Sequence, residues 1–464
     1  MKRKTMGADV REARCVRWVA LAVVGVCGVV APRQAEACEP VTLCAEWEIE
    51  LGDGGWGEYV TGSSVPARGA RMTLIRPSPE PPLGVFLDND GCVTFETQYA
   101  VGHKAVLYNE AVYDGLIHVQ VFESDDDQNV DAVHEWGIDI PAIGDDDEVR
   151  VTVPVSERGV SGAISSILGT ATETLYRLDQ LPPGLPSQAR NLRIRYDHEN
   201  RNANGGPVNI RVGRDSNSEK YVLAHEMGHW LEQGFSGMPY SPNYSYGITD
   251  PECEFGIDIS VAEPGEMSQS AGQSNLHGIR SAEHGHGAMT EAYAHFVGAA
   301  AYSGPSYDDG VFRYYKDIDA VAFPAYQDMV DNENEVDLTH TASLGGQVAW
   351  TATMCAGGDG DGGNDWNPNS SLGHDISTEL DWLRFFWGFY RSPQVSGAQP
   401  TFWEVLDLIS FSHVNDTWPT GAYESSDPTA WDQLVDAVND PASGLTGFSS
   451  RFTALEPTYE VIND

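Results

Sequence analysis

Residues 224–232 of the 464-residue chain read AHEMGHWLE, and this stretch indicates both a fold and a chemistry. Residues four apart project from the same face of an α-helix, so His225 and His229 would present two imidazoles side by side, with Glu226 next to them. Two imidazoles, a third protein ligand and a water make a common zinc site. The spacing therefore predicts a metal-binding helix, in which Glu226 takes a proton from the metal-activated water.

The H-E-x-x-H motif is short, and the alternative is a surface helix that carries two unrelated histidines. Local signals favour the first interpretation. Residues 216–219, SNSE, form a capping box that predicts the start of a helix, and Gly234 is predicted to end it. The motif then lies well inside a helix of about four turns.

Residues 1–37 have the pattern of a secretory signal peptide. Six Lys and Arg residues precede an apolar run over residues 18–31, and Ala-Glu-Ala at 35–37 matches a cleavage site. The apolar run is short for a membrane span and no later segment is long enough, so no membrane insertion is expected. We expect a secreted protein, extracellular or periplasmic. Lipidation of Cys38 is the alternative, but the apolar residue expected before such a cysteine is missing.

Five cysteines follow this segment: Cys38, Cys44, Cys92, Cys253 and Cys355. In an oxidising compartment they are expected to form disulfides, with one cysteine left over. Cys253 and Cys355 are the pair considered for the second half of the chain, although spacing alone does not fix the connectivity.

The composition is strongly acidic, with 27 Lys and Arg against 69 Asp and Glu and a formal charge of −42. Such a surface repels phosphate backbones and anionic lipids, so neither nucleic acid nor a membrane is expected as a partner. Residues 359–365, DGDGGND, resemble a Ca²⁺-binding loop in composition. They lack the Glu at the twelfth position of an EF-hand, which favours a flexible acidic loop over a Ca²⁺ site.

The first part of the chain has the period of β-strands. Apolar residues alternate with polar ones at 47–51, 72–74, 92–97, 104–109, 116–122 and 149–155. Short strands separated by turn signals predict a small β-sandwich over residues 38–157. This region is weakly similar to the prealbumin-like or carboxypeptidase-regulatory-like accessory domains of secreted hydrolases. No catalytic residue is predicted in it, and whether it is a pro-segment is left open.

Helical spacing replaces the strand period after residue 157. A helix is predicted from Ser161, two strands follow at 192–196 and 208–213, and the metal-binding helix comes next. Further helices at 378–390, 402–409 and 429–438 predict a mainly helical C-terminal lobe. The chain is therefore expected to be an α+β protein with a mixed sheet.

This order of helix, strands and metal-binding helix resembles the catalytic domain of zincin metallopeptidases. The resemblance implies a zincin-like domain over residues 158–464, Zn²⁺ as the cofactor, and an edge strand, matching 208–213, that pairs with an extended peptide. The metzincin pattern does not fit, because Glu232 and Phe235 stand where it has a glycine and its third histidine. Gluzincins instead take a Glu from a second helix.

Glu291 is the residue that this resemblance assigns as the third ligand. Residues 289–296, MTEAYAHF, are similar to the second-helix motif of gluzincins. A Glu on a helix surface is the alternative. Rival ligands are Glu232, Asp250, Glu252, His277, His284 and His286, of which the last two, in a glycine-rich loop, are the strongest. His295 stands where gluzincins often have an Asp that orients a zinc-bound histidine. We therefore interpret it as a hydrogen-bond acceptor for one of the histidine ligands. The alternatives are that His295 is itself a ligand or that it is a core residue.

The function expected on these grounds is that of a secreted zinc-dependent endopeptidase, with His225, His229 and Glu291 as ligands and Glu226 as the general base. The partner is then a protein or peptide substrate. The alternatives are an exported zincin-like binding or adhesion protein without catalytic activity, and a metal-dependent hydrolase of a non-peptide substrate. Candidates for stabilising the oxyanion are Tyr302, Tyr307, His340 and His374. Cleavage preference and oligomeric state are not determined by the sequence.

Overall fold

The computed structural model describes residues 40–49, 64–76, 81–96, 104–123, 134–140, 148–153, 160–178, 190–197, 209–213, 220–236, 283–303, 311, 376–377, 379–391, 395–415 and 430–459. Within these ranges the protein is a mixed α+β structure, as the sequence predicts. The predicted signal peptide, Cys38, the Cys253–Cys355 pair and the acidic loop at 359–365 lie outside them. No helix of the described ranges has both the length and the hydropathy needed to cross a membrane.

The secondary structure follows the predicted order of strands and helices. The strands are β1 (Pro40–Glu48), β2 (Ser64–Pro66), β3 (Ala70–Ile75), β4 (Leu83–Phe86), β5 (Cys92–Glu96), β6 (Lys104–Tyr113), β7 (Ile117–Glu123), β8 (Glu135–Asp139), β9 (Glu148–Val153), β10 (Asn191–Asp197), β11 (Ile210–Gly213), β12 (Glu283–His284) and β13 (Ile376–Ser377). The helices are α1 (Val160–Arg177), α2 (Lys220–Ser236), α3 (Gly285–Tyr302), α4 (Glu379–Arg391), α5 (Phe402–Asn415), α6 (Ala430–Asn439) and α7 (Ser449–Tyr459).

A four-stranded sheet is built around β1. Strands β2 and β5 pair with β1 in antiparallel fashion, and β9 pairs with it in parallel. Cys44 and Cys92 are partners in the β1–β5 register and form a disulfide. Disulfide bonding is thereby confirmed for these two cysteines, although the sequence did not single out their pairing.

The larger sheet has seven strands in the order β11-β10-β7-β6-β3-β4, with β8 also paired to β6. It is mixed, because β10 runs parallel to both β7 and β11 while the other pairs are antiparallel. Backbone hydrogen bonds between β7 and β10 join the region predicted as a β-sandwich to the region that follows it. The division of the chain at residue 157 stays a prediction.

Helix α1 covers an apolar face that both regions share. Its residues Ile164, Ile167, Leu168, Ala171 and Leu175 follow helical spacing and are all buried. On the N-terminal side, a Cβ added at Gly169 would lie 2.9 Å from Ile49 Cδ1, so the helix is in close contact with the end of β1. The Arg68 guanidinium also donates to the Glu173 carboxylate at 2.8 Å. The apolar core therefore continues across residue 157.

Helices α2 to α5 pack on one another and carry the aromatic core of the C-terminal half. Phe296 of α3 stacks on Phe402 of α5, with ring centroids 5.8 Å apart, and lies 5.9 Å from the Phe386 ring of α4. Aromatic rings bury large apolar areas, so these contacts hold α3 between its neighbours. The helical C-terminal lobe is confirmed in the described residues. A zincin-like fold stays a prediction.

The end of α2 differs from its prediction. The helix continues through Gly234 to Ser236, so the expectation that Gly234 ends it is wrong by two residues. Gly234 is buried, and packing of the surrounding helix outweighs the modest preference of glycine for a helix end. The capping box at 216–219 lies outside the described residues.

Candidate metal centre

Three side chains from two helices meet at one point of the helical layer. Helix α2 presents His225 and His229 one turn apart, with their Nε2 atoms 3.1 Å from each other. Glu291 of α3 places Oε2 3.0 Å from His229 Nε2 and 3.1 Å from His225 Nε2. In the part of the chain that the structure describes, these residues form the group of His, Cys, Asp or Glu side chains that could hold a metal ion.

The three atoms form a nearly equilateral triangle that fits a zinc ion. With sides of 3.0 to 3.1 Å, the centre of the triangle lies about 1.8 Å from each corner. A position about 1 Å from the plane is then about 2.0–2.1 Å from all three atoms, the length of zinc bonds to nitrogen and oxygen. Two imidazoles and one carboxylate are also a donor set found in catalytic zinc sites, which leave one position open.

The two histidines of the triangle have pKa values shifted in opposite directions. Burial lowers the pKa of His225 to about 3, and the adjacent His295 ring acts in the same direction. Burial also acts to lower the pKa of His229, but the charge of Glu291 and its hydrogen bond, with smaller contributions from Glu226 and Glu232, raise it to about 9. In the metal-free protein at neutral pH, His229 therefore carries a proton that a metal ion has to displace.

Glu226 is on α2 beside these ligands and is only 7% exposed. Its negative charge is one of those that raise the pKa of His229, which places its carboxylate within electrostatic reach of the triangle. Glu226 thus offers a buried carboxylate on the same helix as the two histidines, which is the residue type that a general base requires.

His295 lies behind His225, away from the triangle. Its Nδ1 is 3.0 Å from His225 Nδ1, while its Nε2 is 2.9 Å from Glu379 Oε2, a residue of α4. His295 thus contacts a predicted ligand through the outer ring nitrogen of that ligand, which is the position expected from the sequence. The position of its Nδ1 is that of a hydrogen-bonding neighbour of His225.

The close approach of α2 and α3 depends on Gly228, the fourth residue of the motif. A Cβ at this position would lie 2.5 Å from Ala294 Cα, far inside contact distance, and 3.0 Å from the Ala294 carbonyl oxygen, which is a tight contact. Two small residues, Gly228 and Ala294, therefore let the helix backbones touch. This contact brings Glu291, one turn before Ala294, within reach of both histidines.

Among the rival ligands, the side chains of His286 and Glu232 are described, and neither belongs to the triangle. His286 is in the first turn of α3 and not in a loop, which corrects that expectation; it is fully buried, with its Nε2 2.9 Å from Gln433 Oε1 of α6. The backbone of His284 belongs to β12, which also replaces the predicted loop. The Glu232 carboxylate accepts a hydrogen bond from the Thr290 hydroxyl at 3.2 Å. Asp250, Glu252 and His277 lie outside the described residues.

The oxyanion candidate Tyr302 is too far from the triangle. It is at the C-terminal end of α3, eleven residues or about 16 Å along the helix from Glu291. Its hydroxyl is 2.7 Å from the Thr174 hydroxyl of α1. The other candidates, Tyr307, His340 and His374, lie outside the described residues.

Sequence reasoning missed two residues of this centre, Gly228 and Glu379. Glu379 is the first residue of an aromatic-rich helix and resembles the acidic residue often found at a helix N-terminus. The side chain of Glu379 is only 1% exposed, which is unusual for a carboxylate. This burial can be seen only in the folded protein. A signal did exist for Gly228, since a glycine in the interior of a helix often marks a close packing contact.

A comparison with protein-family models finds no match to this chain, and a comparison with curated protein sequences finds none either. A function for the chain therefore has to be argued from the geometry and chemistry of the centre itself.

Proposed function

We propose that this protein is a zinc-dependent peptidase of the gluzincin type, in which His225, His229 and Glu291 hold the metal. The observation that carries the proposal is the triangle of donor atoms, with sides of 3.0 to 3.1 Å, next to Glu226 on the same helix. A buried carboxylate is costly unless it is paired, and a metal ion held together with the two histidines would supply that pairing for Glu291.

The residues have distinct roles in this proposal. A bound zinc ion would lower the pKa of a coordinated water and polarise the carbonyl of the scissile bond. Glu226 accepts the proton of the attacking water and delivers it to the leaving amine. The burial of Glu226 and of the ligands, each less than 10% exposed, keeps their charges poorly screened by solvent and so strengthens their interactions.

The larger sheet supports a peptide as the substrate. Strand β11 is at one end of the strand order, and in the described ranges it pairs with β10 on one side only. Helix α2, which carries the histidines, packs against β11. An extended peptide that pairs with the side of β11 opposite β10 would bind through its main chain and lie next to the metal-binding helix. Secretion of the protein also belongs to this proposal, and the Cys44–Cys92 disulfide is compatible with an oxidising compartment.

Zinc content and casein cleavage test the proposal. The purified chain should contain one zinc per molecule and cleave casein, and chelation should abolish cleavage until zinc is restored. The Glu226→Gln variant should keep its zinc and lose cleavage by a factor on the order of 10² to 10⁴, the usual contribution of a general base.

Two carboxylate variants separate the ligand from its rival. Glu291→Gln should lose stoichiometric zinc, whereas Glu232→Gln, which alters another buried carboxylate of the same region, should keep it. Full casein cleavage by Glu226→Gln would refute the mechanism. Unchanged zinc in Glu291→Gln would refute the ligand set, and zinc without any cleavage of casein or of a peptide library would refute the substrate class.

A further inference from the structure

A chain of three buried side chains leads away from the metal centre and crosses three helices. His225 of α2 contacts His295 of α3 through Nδ1 atoms 3.0 Å apart, and His295 Nε2 contacts Glu379 Oε2 of α4 at 2.9 Å. The exposed fractions fall along the chain from 9% at His225 through 6% at His295 to 1% at Glu379. The order of donors and acceptors among these three side chains depends on the atom through which His225 would bind a metal ion.

A metal ion held through Nε2 of His225 would fix the direction of each hydrogen bond in this chain. With its Nε2 lone pair directed at the ion, the neutral His225 ring would carry its N–H on Nδ1, the atom 3.0 Å from His295 Nδ1. His295 Nδ1 would accept this bond, so the N–H of His295 would be on Nε2 and be donated to Glu379 Oε2. Glu379 is thus the acceptor that this arrangement requires when His225 Nε2, the atom that faces His229 and Glu291, binds a metal ion.

We propose that Glu379 is a positioning residue that acts through His295 and holds His225 in the tautomer able to bind a metal ion through Nε2. The inference rests on the proposed metal centre and adds a residue that its ligand set does not contain. With a proton on Nε2 instead, His225 would have to change tautomer and lose its hydrogen bond to His295 before it could bind the ion. In other zinc sites, a hydrogen-bond acceptor at the second ring nitrogen of a metal-bound histidine fixes the orientation of the ring and the position of its proton.

The fold explains how a residue 84 positions away reaches His295. Strand β13 ends two residues before Glu379, and it pairs with β12, which comes directly before α3. This two-stranded ribbon ties the start of α4 to the start of α3. Packing of Phe386 against Phe296 continues the contact along both helices. Glu379 is thus fixed relative to α3 from two sides.

Glu379→Gln is the first variant of the test. A glutamine has nearly the same shape as a glutamate, but its amide can both donate and accept hydrogen bonds. It therefore no longer requires His295 Nε2 to be the donor. Zinc affinity, measured by competition with a chelator, should fall about 10- to 100-fold, as it does when a partner of a zinc-bound histidine is removed elsewhere. Nitrogen NMR of ¹⁵N-histidine-labelled, metal-free protein at neutral pH should show the His225 proton on Nδ1 in the wild type and a mixture of tautomers in the variant.

A double variant, His295→Asp with Glu379→Gln, distinguishes positioning from a general structural role. The Oδ1 atom of an aspartate is bonded to Cγ as Nδ1 is in histidine, so Asp can accept the His225 proton directly, with no need for Glu379. Most of the affinity lost in Glu379→Gln should return. The matched control is Gln433→Leu, which removes the hydrogen bond of another buried histidine of α3, His286, and should leave zinc affinity unchanged.

The outcomes separate this inference from the proposed function. A wild-type chain that takes up no stoichiometric zinc overturns the metal centre and the inference together. A wild type that binds zinc while folded Glu379→Gln binds it equally tightly overturns the inference alone. So does a His225 proton found on Nε2 in the wild type, and so does a double variant that stays as weak as the single one, because Glu379 would then have a purely structural role.

Discussion

A methyl group at Gly228 should separate the two helices that build the metal centre. In Gly228→Ala the new Cβ would lie 2.5 Å from Ala294 Cα, whereas carbon atoms in contact are about 3.5–4.0 Å apart. The helices therefore have to move apart by about 1 Å at this point. The nearest atoms belong to the backbone and cannot rotate away, so the strain is at the upper end of that for overpacked cores.

The expected change in the free energy of unfolding follows from two opposing effects. Overpacking costs up to about 3 kcal/mol, and replacing glycine by alanine in a helix returns about 1 kcal/mol. A net loss of about 2 kcal/mol is expected. An outward shift of α3 by about 1 Å would also increase the separations of Glu291 Oε2 from the two Nε2 atoms, now 3.0 and 3.1 Å, beyond what one zinc ion bridges comfortably.

Gly298→Ala is the matched control, because Gly298 is on α3 and faces α2. Its Cβ would lie 3.6 Å from Ala224 Cβ, an ordinary contact, and 3.0 Å from Val311 Cγ2, the tip of a side chain that can shift. Thermal melting followed by circular dichroism and a zinc titration compare the two variants. Gly228→Ala should melt below the wild type and bind zinc at least tenfold more weakly, roughly the effect of disturbing a supporting residue. Gly298→Ala should bind zinc like the wild type and melt at the same temperature or slightly above it, because alanine is favoured over glycine in a helix. A Gly228→Ala protein that melts and binds zinc like Gly298→Ala would refute the close-contact argument.

Two further predictions concern the proton of the metal centre and the core of the C-terminal lobe. The pKa of His229 is raised from 6.5 to about 9, so its proton is bound at pH 7 and must leave when zinc binds. Zinc affinity should therefore rise about tenfold per pH unit from pH 7 to pH 9 and level off above pH 9. Calorimetry in two buffers of different ionisation enthalpy should detect about one proton released per zinc at pH 7, and no release would contradict the assignment. The fully buried guanidinium of Arg451 donates hydrogen bonds to the backbone carbonyls of Gly388, Phe389 and Val395. Arg451→Met should lower the free energy of unfolding by about 3 kcal/mol, because these three carbonyls would lose a hydrogen bond. Exposed Arg391→Met is its control, and equal melting temperatures of the two variants would contradict this role.

Local patterns were sufficient for most of the helices and strands. The period-two stretches became β3, β5, β6 and β7, and the helical spacing from Ser161 became α1, because alternation of apolar residues reports directly on which face of an element is buried. Element ends were less reliable, as Gly234 shows, since packing can extend a helix past its local stop signal.

The sequence could not establish how strands from separate parts of the chain pair. Residues on both sides of position 157 contribute to one mixed sheet through β7 and β10, yet each strand by itself has the pattern of any half-buried strand. Pairing depends on long-range hydrogen bonds between chain segments that a local period does not specify.

By itself the sequence determined the chemistry available at the centre, because helical periodicity alone puts His225 and His229 on one face with Glu226 beside them. Glu291 and six rival ligands were open in the sequence: Glu232, Asp250, Glu252, His277, His284 and His286. Among the carboxylates that it describes, the tertiary structure decided that Glu291 joins the histidines, since the close contact of Gly228 with Ala294 brings it to 3.0 Å from His229. The role of Glu379 also belongs to the fold, since its side chain reaches His295 only when α4 packs on α3, and such contacts between distant residues leave no periodic trace in the sequence.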